Sequence, residues 1–233
     1  VRKLRTDFLN NGIKYPLDIF SVCNSYDNLK IAAIPFKTKG LRGMANISDN
    51  EDTPHCILVN SHLSLEEQNF HGFHELMHVY FEKDSKGSTF NCYDKVQPFQ
   101  DSYTEWLANE GAAELMLPHD VLLPCIKEYV KTFDNAYTGV FDMIQDIAHT
   151  YKVSPIVVDN RLNSLSYEIF QYLNGCDLEN INIISKNQQK RLGISVDSLS
   201  DIENRRFTDI WINKNEVKPF FAYSVCYKNL LVV

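Results

Sequence analysis

The sequence predicts an α+β fold in which a small sheet forms early and a long run of helices follows. Three observations carry this reading. Short apolar runs bounded by polar, glycine-containing stretches occupy residues 29–60. A capping signature at Ser64 and Glu67 then opens a long segment of helical character. From Ser102 to Asn174, helical patterns succeed one another with short breaks. Strands first and helices afterwards is the order of an α+β chain, not of alternating βαβ units.

Taken in order, residues 4–25 alternate apolar and polar positions at helical spacing, interrupted near Gly12 and Pro16. Leu29–Phe36 is nearly continuous in apolar residues and reads as a buried strand. Residues 37–54 hold Gly40, Gly43 and an acidic, Asn-containing stretch, and read as loop with room for one strand. Cys56–Asn60 is a second short strand. The helix opened by Ser64 should run to about Lys83, with Gly87 beyond it as a stop signal. Residues 88–99 read as irregular. A second helix begins near Ser102 and ends before Pro118, and further helical pieces cover Val121–Phe133, Thr138–Tyr151 and Pro155–Asn174. Beyond residue 180 short apolar pieces, Asp209–Ile212 and Phe220–Cys226, suit strands better. The domain reading is therefore one domain over residues 1–178 and a C-terminal extension over residues 179–233.

Bulk properties narrow the function classes. A chain of 233 residues with 44% apolar residues, including 14 Phe and 12 Tyr, can bury a large core. A formal net charge of -7 argues against general attraction to nucleic acid or to an anionic membrane. No apolar run approaches the length of a membrane span, and no signal peptide is visible. The six cysteines are scattered without a CxxC, which suits free thiols in a reducing cytoplasm better than a disulfide framework.

One segment states a chemistry. His74-Glu75-Leu76-Met77-His78 places two imidazoles four residues apart, one turn along the same helix face, where both reach one metal ion. Glu75 points about a quarter turn away, which suits a base better than a ligand. Phe70, Phe73, Met77 and Phe81 give the helix an apolar flank, so it reads as buried and amphipathic. His71, three residues before His74, reads as packed beside a ligand. Catalytic zinc keeps three protein ligands and leaves one position open. The helix after Ser102 offers Glu105, Glu110 and Glu114 for the third. Ser102-Tyr103-Thr104-Glu105 is also a capping-box pattern, which would give Glu105 a purely local role. Spacing alone leaves Glu105 and Glu110 both open.

These segments resemble the ImmA/IrrE family of bacterial zinc metallopeptidases. Ile57–Asn60 resembles the strand that the family places before its active-site helix, and Asn69–His78 its phenylalanine-led HExxH segment. Glu105–Pro118 resembles its ExxANxFAAELLMP block, and Val153-Ser154 with Arg161-Leu162 a following VS…RL element. The resemblance implies a zincin-like fold with a small sheet, an active-site helix and a helical C-terminal support. It implies Zn2+ on His74, His78 and Glu105, with Glu75 as base, and so selects Glu105 over Glu110. His71, Asn109, Tyr103 and Arg161 are candidates for holding a ligand or stabilising the transition state, and His119 is a further oxyanion candidate. Four positions depart from the pattern, and His71 and Gly72 stand where Thr and a larger residue are common. Met77 replaces the usual Gly inside the HExxH motif, and Gly111 replaces the usual Phe.

By resemblance, the substrate is a protein, a helix-turn-helix transcriptional repressor of a phage or mobile element, cut at one site. A regulatory or toxin–antitoxin module that keeps the zinc fold and acts by binding alone is the alternative from another class. Residues 144–162 themselves suggest a helix-turn-helix unit. Asp142, Asp146, Asp159 and Glu168 nevertheless outweigh Lys152 and Arg161 around it, so the segment reads as helical support and direct nucleic-acid binding is disfavoured. An extended substrate could add to the edge of strand Cys56–Asn60.

Overall fold

The computed structural model describes residues 1–50, 52–82, 84–85, 87–132 and 139–203. The segments Asp209–Ile212 and Phe220–Cys226 lie outside these residues. The described chain is α+β, with a four-stranded sheet and helices after it. Contacts divide it into two compact units, Val1–Pro118 with Ala148–Ser154, and His119–Ile147 with the chain from Pro155 onward.

In the first unit, helices α1 (Arg2–Asn10) and α2 (Ile19–Asn24) flank the predicted break at Gly12 and Pro16. Strands β1 (Leu29–Ile34), β2 (Leu41–Asn46), β3 (His55–Asn60) and β4 (Thr89–Tyr93) form a sheet in the order β1-β3-β2-β4. β1 runs parallel to β3, while β2 is antiparallel to both β3 and β4.

Three strand readings need correction. Residues 88–99 are not wholly irregular, since β4 lies within them. β1 is not a buried strand. It is an outer strand, and Leu29 is its one buried residue. An apolar run fits a strand covered on one face as well as a central one, so composition alone misleads there. β3 offers no free edge, because β1 and β2 pair with it on both sides. The outer strands are β1 and β4.

Helix α3 (Leu65–Phe81) starts as predicted. Ser64 Oγ accepts from the Glu67 backbone N–H, and the Glu67 carboxylate accepts from the Ser64 N–H. The helix is buried all round from Gly72 to Val79, lying against β2, β3, β4, α2 and helix α4 (Ser102–Met116). It is therefore central rather than amphipathic over its working turns. Asn69 ties it to the start of α2, accepting from the Ile19 N–H and donating to the Leu17 carbonyl just before that helix, both at 2.8 Å.

The second unit contains α5 (His119–Thr132), most of α6 (Val140–Tyr151), α7 (Pro155–Ser164), α8 (Ser166–Leu173) and α9 (Lys186–Arg191). The single helix expected over Pro155–Asn174 is broken at Leu165. Ser164 and Ser166 on either side turn their hydroxyls back to the Arg161 and Asn163 carbonyls, competition that loosens a helix.

Candidate metal centre

α3 and α4 bring three donors together. His74 and His78 share a face of α3 one turn apart, and their Nε2 atoms are 3.1 Å from each other. Glu105, in the first turn of α4, places Oε2 3.3 Å from His74 Nε2 and Oε1 3.7 Å from His78 Nε2. Four ligands about 2.0–2.1 Å from one tetrahedral ion stand about 3.3 Å apart, so these separations fit a single small cation. All three side chains are buried, with Glu105 the most accessible at 7%.

Glu105 is free for this task because it does not cap α4. The cap is Asp101, which accepts from the Thr104 N–H at 2.9 Å and from the Thr104 hydroxyl at 2.7 Å. The capping-box alternative for Glu105 is thereby removed. Gln100 holds Glu105 from the loop before the helix. Its amide donates to Glu105 Oε1 at 2.8 Å and to the Asn91 carbonyl of β4 at 2.7 Å. Glu110 and Glu114 lie further along α4, outside the converging group.

The imidazoles are oriented from behind. Asn109, one turn after Glu105, places Oδ1 3.0 Å from His74 Nδ1. A carbonyl oxygen only accepts, so Nδ1 carries the proton and Nε2 keeps its lone pair for the site. His78 stacks flat on Phe90 of β4, with ring centroids 4.7 Å apart and an interplanar angle of 10°. Burial, then the neighbouring His74, lowers the His78 pKa to about 4, against the opposing pull of Glu105. A neutral imidazole is the form that ligates.

Glu75 lies beside the trio, fully buried, and neither of its oxygens has a hydrogen-bond partner among the described residues. Burial, then the charge of Glu105, pushes its pKa well above the carboxylate range, against the opposing pull of the nearby Cys92 backbone amide, which lies outside hydrogen-bonding geometry. Room for it comes from β2. A Cβ on Gly43 would stand 2.6 Å from Glu75 Oε1, so only glycine leaves space for the carboxylate over the sheet.

The other predicted residues fall into separate places. His71 is half-buried against β4, its Nδ1 3.3 Å from Cys92 Sγ, and desolvation followed by His74 lowers its pKa to about 3. It is packed beside His74 and is not one of the converging three. Tyr103 is 64% exposed, its ring against Trp106. Two residues along a helix is about 200° of rotation, so Tyr103 diverges from Glu105. Arg161 is buried on α7 and His119 at the start of α5, both in the second unit. Gln100, Cys92, Phe90 and Gly43 were not foreseen.

Comparison with known protein families decides what this arrangement belongs to. The peptidase M78 model, described as an IrrE N-terminal-like domain, matches residues 25–163, well over half of the chain. The chain belongs to the peptidase M78 family. Comparison with curated proteins returns no match. Membership makes the chain a peptidase, a hydrolase of peptide bonds that acts on protein substrates, and implies a metal. The donor set fits that implication. Two imidazoles and one carboxylate converge, and an unpartnered carboxylate waits beside them.

Met77 and Gly111 meet in the structure. Gly111 of α4 faces Met77 of α3, and a Cβ at Gly111 would stand 2.7 Å from Met77 Sδ and 2.9 Å from its Cγ. The small residue lets α4 approach closely enough for Glu105 to meet the imidazoles. Among the described residues no helix is long and apolar enough to cross a membrane.

Proposed function

We propose that this M78 peptidase is a zinc-dependent endopeptidase that makes a site-specific cut in a protein substrate. His74, His78 and Glu105 hold the metal and Glu75 is the base. The observation that carries the reading is the meeting of the three donors with a buried, unpartnered Glu75 beside them. Zinc bound there would supply Lewis acidity toward the scissile carbonyl and the attacking water. Glu75 takes the water proton on a carboxylate oxygen and delivers it to the leaving amine. Its burial keeps bulk water from competing. Asn109 fixes the His74 tautomer, and Gln100 fixes the Glu105 rotamer against β4. An extended substrate pairs along the outer strand β4, whose Phe90 lies on His78, and not along β3.

The substrate we assign is a helix-turn-helix transcriptional repressor, cut in the cytoplasm to relieve repression of a phage or mobile element. The support is the resemblance to ImmA/IrrE peptidases. Incubating the zinc-loaded protein with the repressor encoded beside it tests this reading, with Glu75→Gln run in parallel. Wild type should yield two fragments. Glu75→Gln should keep its zinc and cut about 10²–10⁴-fold more slowly, the usual share of a general base. Undiminished cutting by pure Glu75→Gln sinks the assignment. A loaded wild-type protein that binds the repressor and leaves it whole would instead be a binding module.

A further inference from the structure

Cys92 of β4 is buried and serves no role in the reaction described above. Its thiol lies next to His71 Nδ1 at 3.3 Å. One donor atom each from His74, Glu75 and Cys92 lie within 4.8 Å of one another, and all three residues are buried. The Glu75 oxygens aimed into this space are unpartnered and inaccessible to water. A thiol, an imidazole and a carboxylate around one space form a second donor set, softer than the first.

We propose that His74, Glu75 and Cys92 form an inhibitory site for a thiophilic divalent cation, exclusive of the His74–His78–Glu105 site. Both sets need His74, so one ion per chain is accommodated. An ion on the second set also occupies Glu75, which silences the base. That consequence rests on the peptidase reading; the site itself does not. The sulfur donor makes this set suit a softer ion such as Cd2+ better than Zn2+. Binding breaks the Cys92 S–H bond, forms a sulfur–metal bond and releases the proton to solvent. Calcium and magnesium, which prefer oxygen donors, should not compete.

The test is spectroscopic and needs no substrate. Cys56, Cys125, Cys176 and Cys226 are replaced by Ser, leaving Cys23 and Cys92. Titration with CdCl2 should produce a sulfur-to-cadmium charge-transfer band that saturates at one equivalent. Adding Cys92→Ser should abolish the band while Cd2+ still binds, and adding His78→Ala should leave the band in place. In the unsubstituted protein loaded with zinc, each Cd2+ bound through sulfur should release one Zn2+. This arm covers the case in which a cysteine variant does not fold. Absence of the band in the Cys23/Cys92 protein would overturn the proposal. So would a band that survives Cys92→Ser, or Cd2+ and Zn2+ held together one each per chain with the band present. A failed peptidase assay leaves this titration unaffected, and a failed titration leaves zinc on the first site.

Discussion

Two buried clusters of ionisable side chains differ in how their charge is met. In the first unit, His74, His78 and Glu105 turn donor atoms toward one point, with Glu75 unpartnered beside them. No Lys or Arg makes an ion pair to Glu75 or Glu105 among the described residues. In the second unit, Glu168 is as deeply buried but has cations of its own. Arg161 and Lys186 both act on its charge, its Oε1 accepts from the Ile184 N–H at 3.1 Å, and Lys186 donates to Ser166. A buried carboxylate needs a cation. The second cluster supplies cations from the chain, which offset burial in part and leave Glu168 Oε2 unpartnered, and the first leaves that place to a ligand. Burial of charge by itself therefore does not mark a functional site; the sign left unbalanced does.

The comparison can be broken most forcefully at the groups that aim the donors. Asn109→Ala frees the His74 tautomer and Gln100→Ala frees Glu105. Each should weaken zinc binding by about 10–100-fold, measured by competition with a chelating dye. Neither should alter the second cluster. Unchanged affinity in both variants would mean that the donors hold their places unaided.

The helix contact beneath the site comes next. Gly111→Phe should overpack against Met77 and cost about 1–3 kcal/mol in denaturant unfolding, with loss of metal affinity as α4 is pushed away. Met77→Gly alone should cost about 1 kcal/mol for its place inside a helix, and more for the cavity it leaves. The double variant should recover most of both losses, because the residues share one space. Additive losses would show that the two departures are unrelated.

The smallest effect belongs to Glu168. Burial raises its pKa in the folded protein, so the folded state holds the proton where the unfolded state has lost it. Stability from this group is greatest below the ordinary carboxylate pKa. It falls as pH rises from that value through the raised one. Glu168→Gln should flatten this part of the stability–pH profile and leave metal content unchanged. A profile still falling through that window in the variant would assign the dependence to another group.

Much of the first cluster was legible from the chain because a helix turns spacing into position. His74 and His78 had to share a face once the Ser64–Glu67 box had started α3. Glu105 was not legible that way. Its helix offered three acids and a rival capping pattern, and only the resemblance chose among them, until Asp101 was seen to take the cap. β4 was missed although Thr89, Phe90 and Tyr93 are strand formers, because five residues with Asn91 and Cys92 among them make no clear alternation. With β4 went Phe90, Cys92 and the carbonyl that Gln100 holds. Gln100 sits in a loop, where no period predicts direction. Gly43 looked like a loop signal and is instead the space for Glu75, a relation across strand and helix that no local pattern carries.

The central claim is that α3 and the first turn of α4 hold one metal, with Glu105 and not Glu110 as third donor. The direct measurement is metal content after zinc loading and gel filtration, for wild type, Glu105→Ala and Glu110→Ala. The account predicts one zinc per chain in wild type and Glu110→Ala, and loss of it in a folded Glu105→Ala. Zinc kept by Glu105→Ala and lost from Glu110→Ala would contradict it.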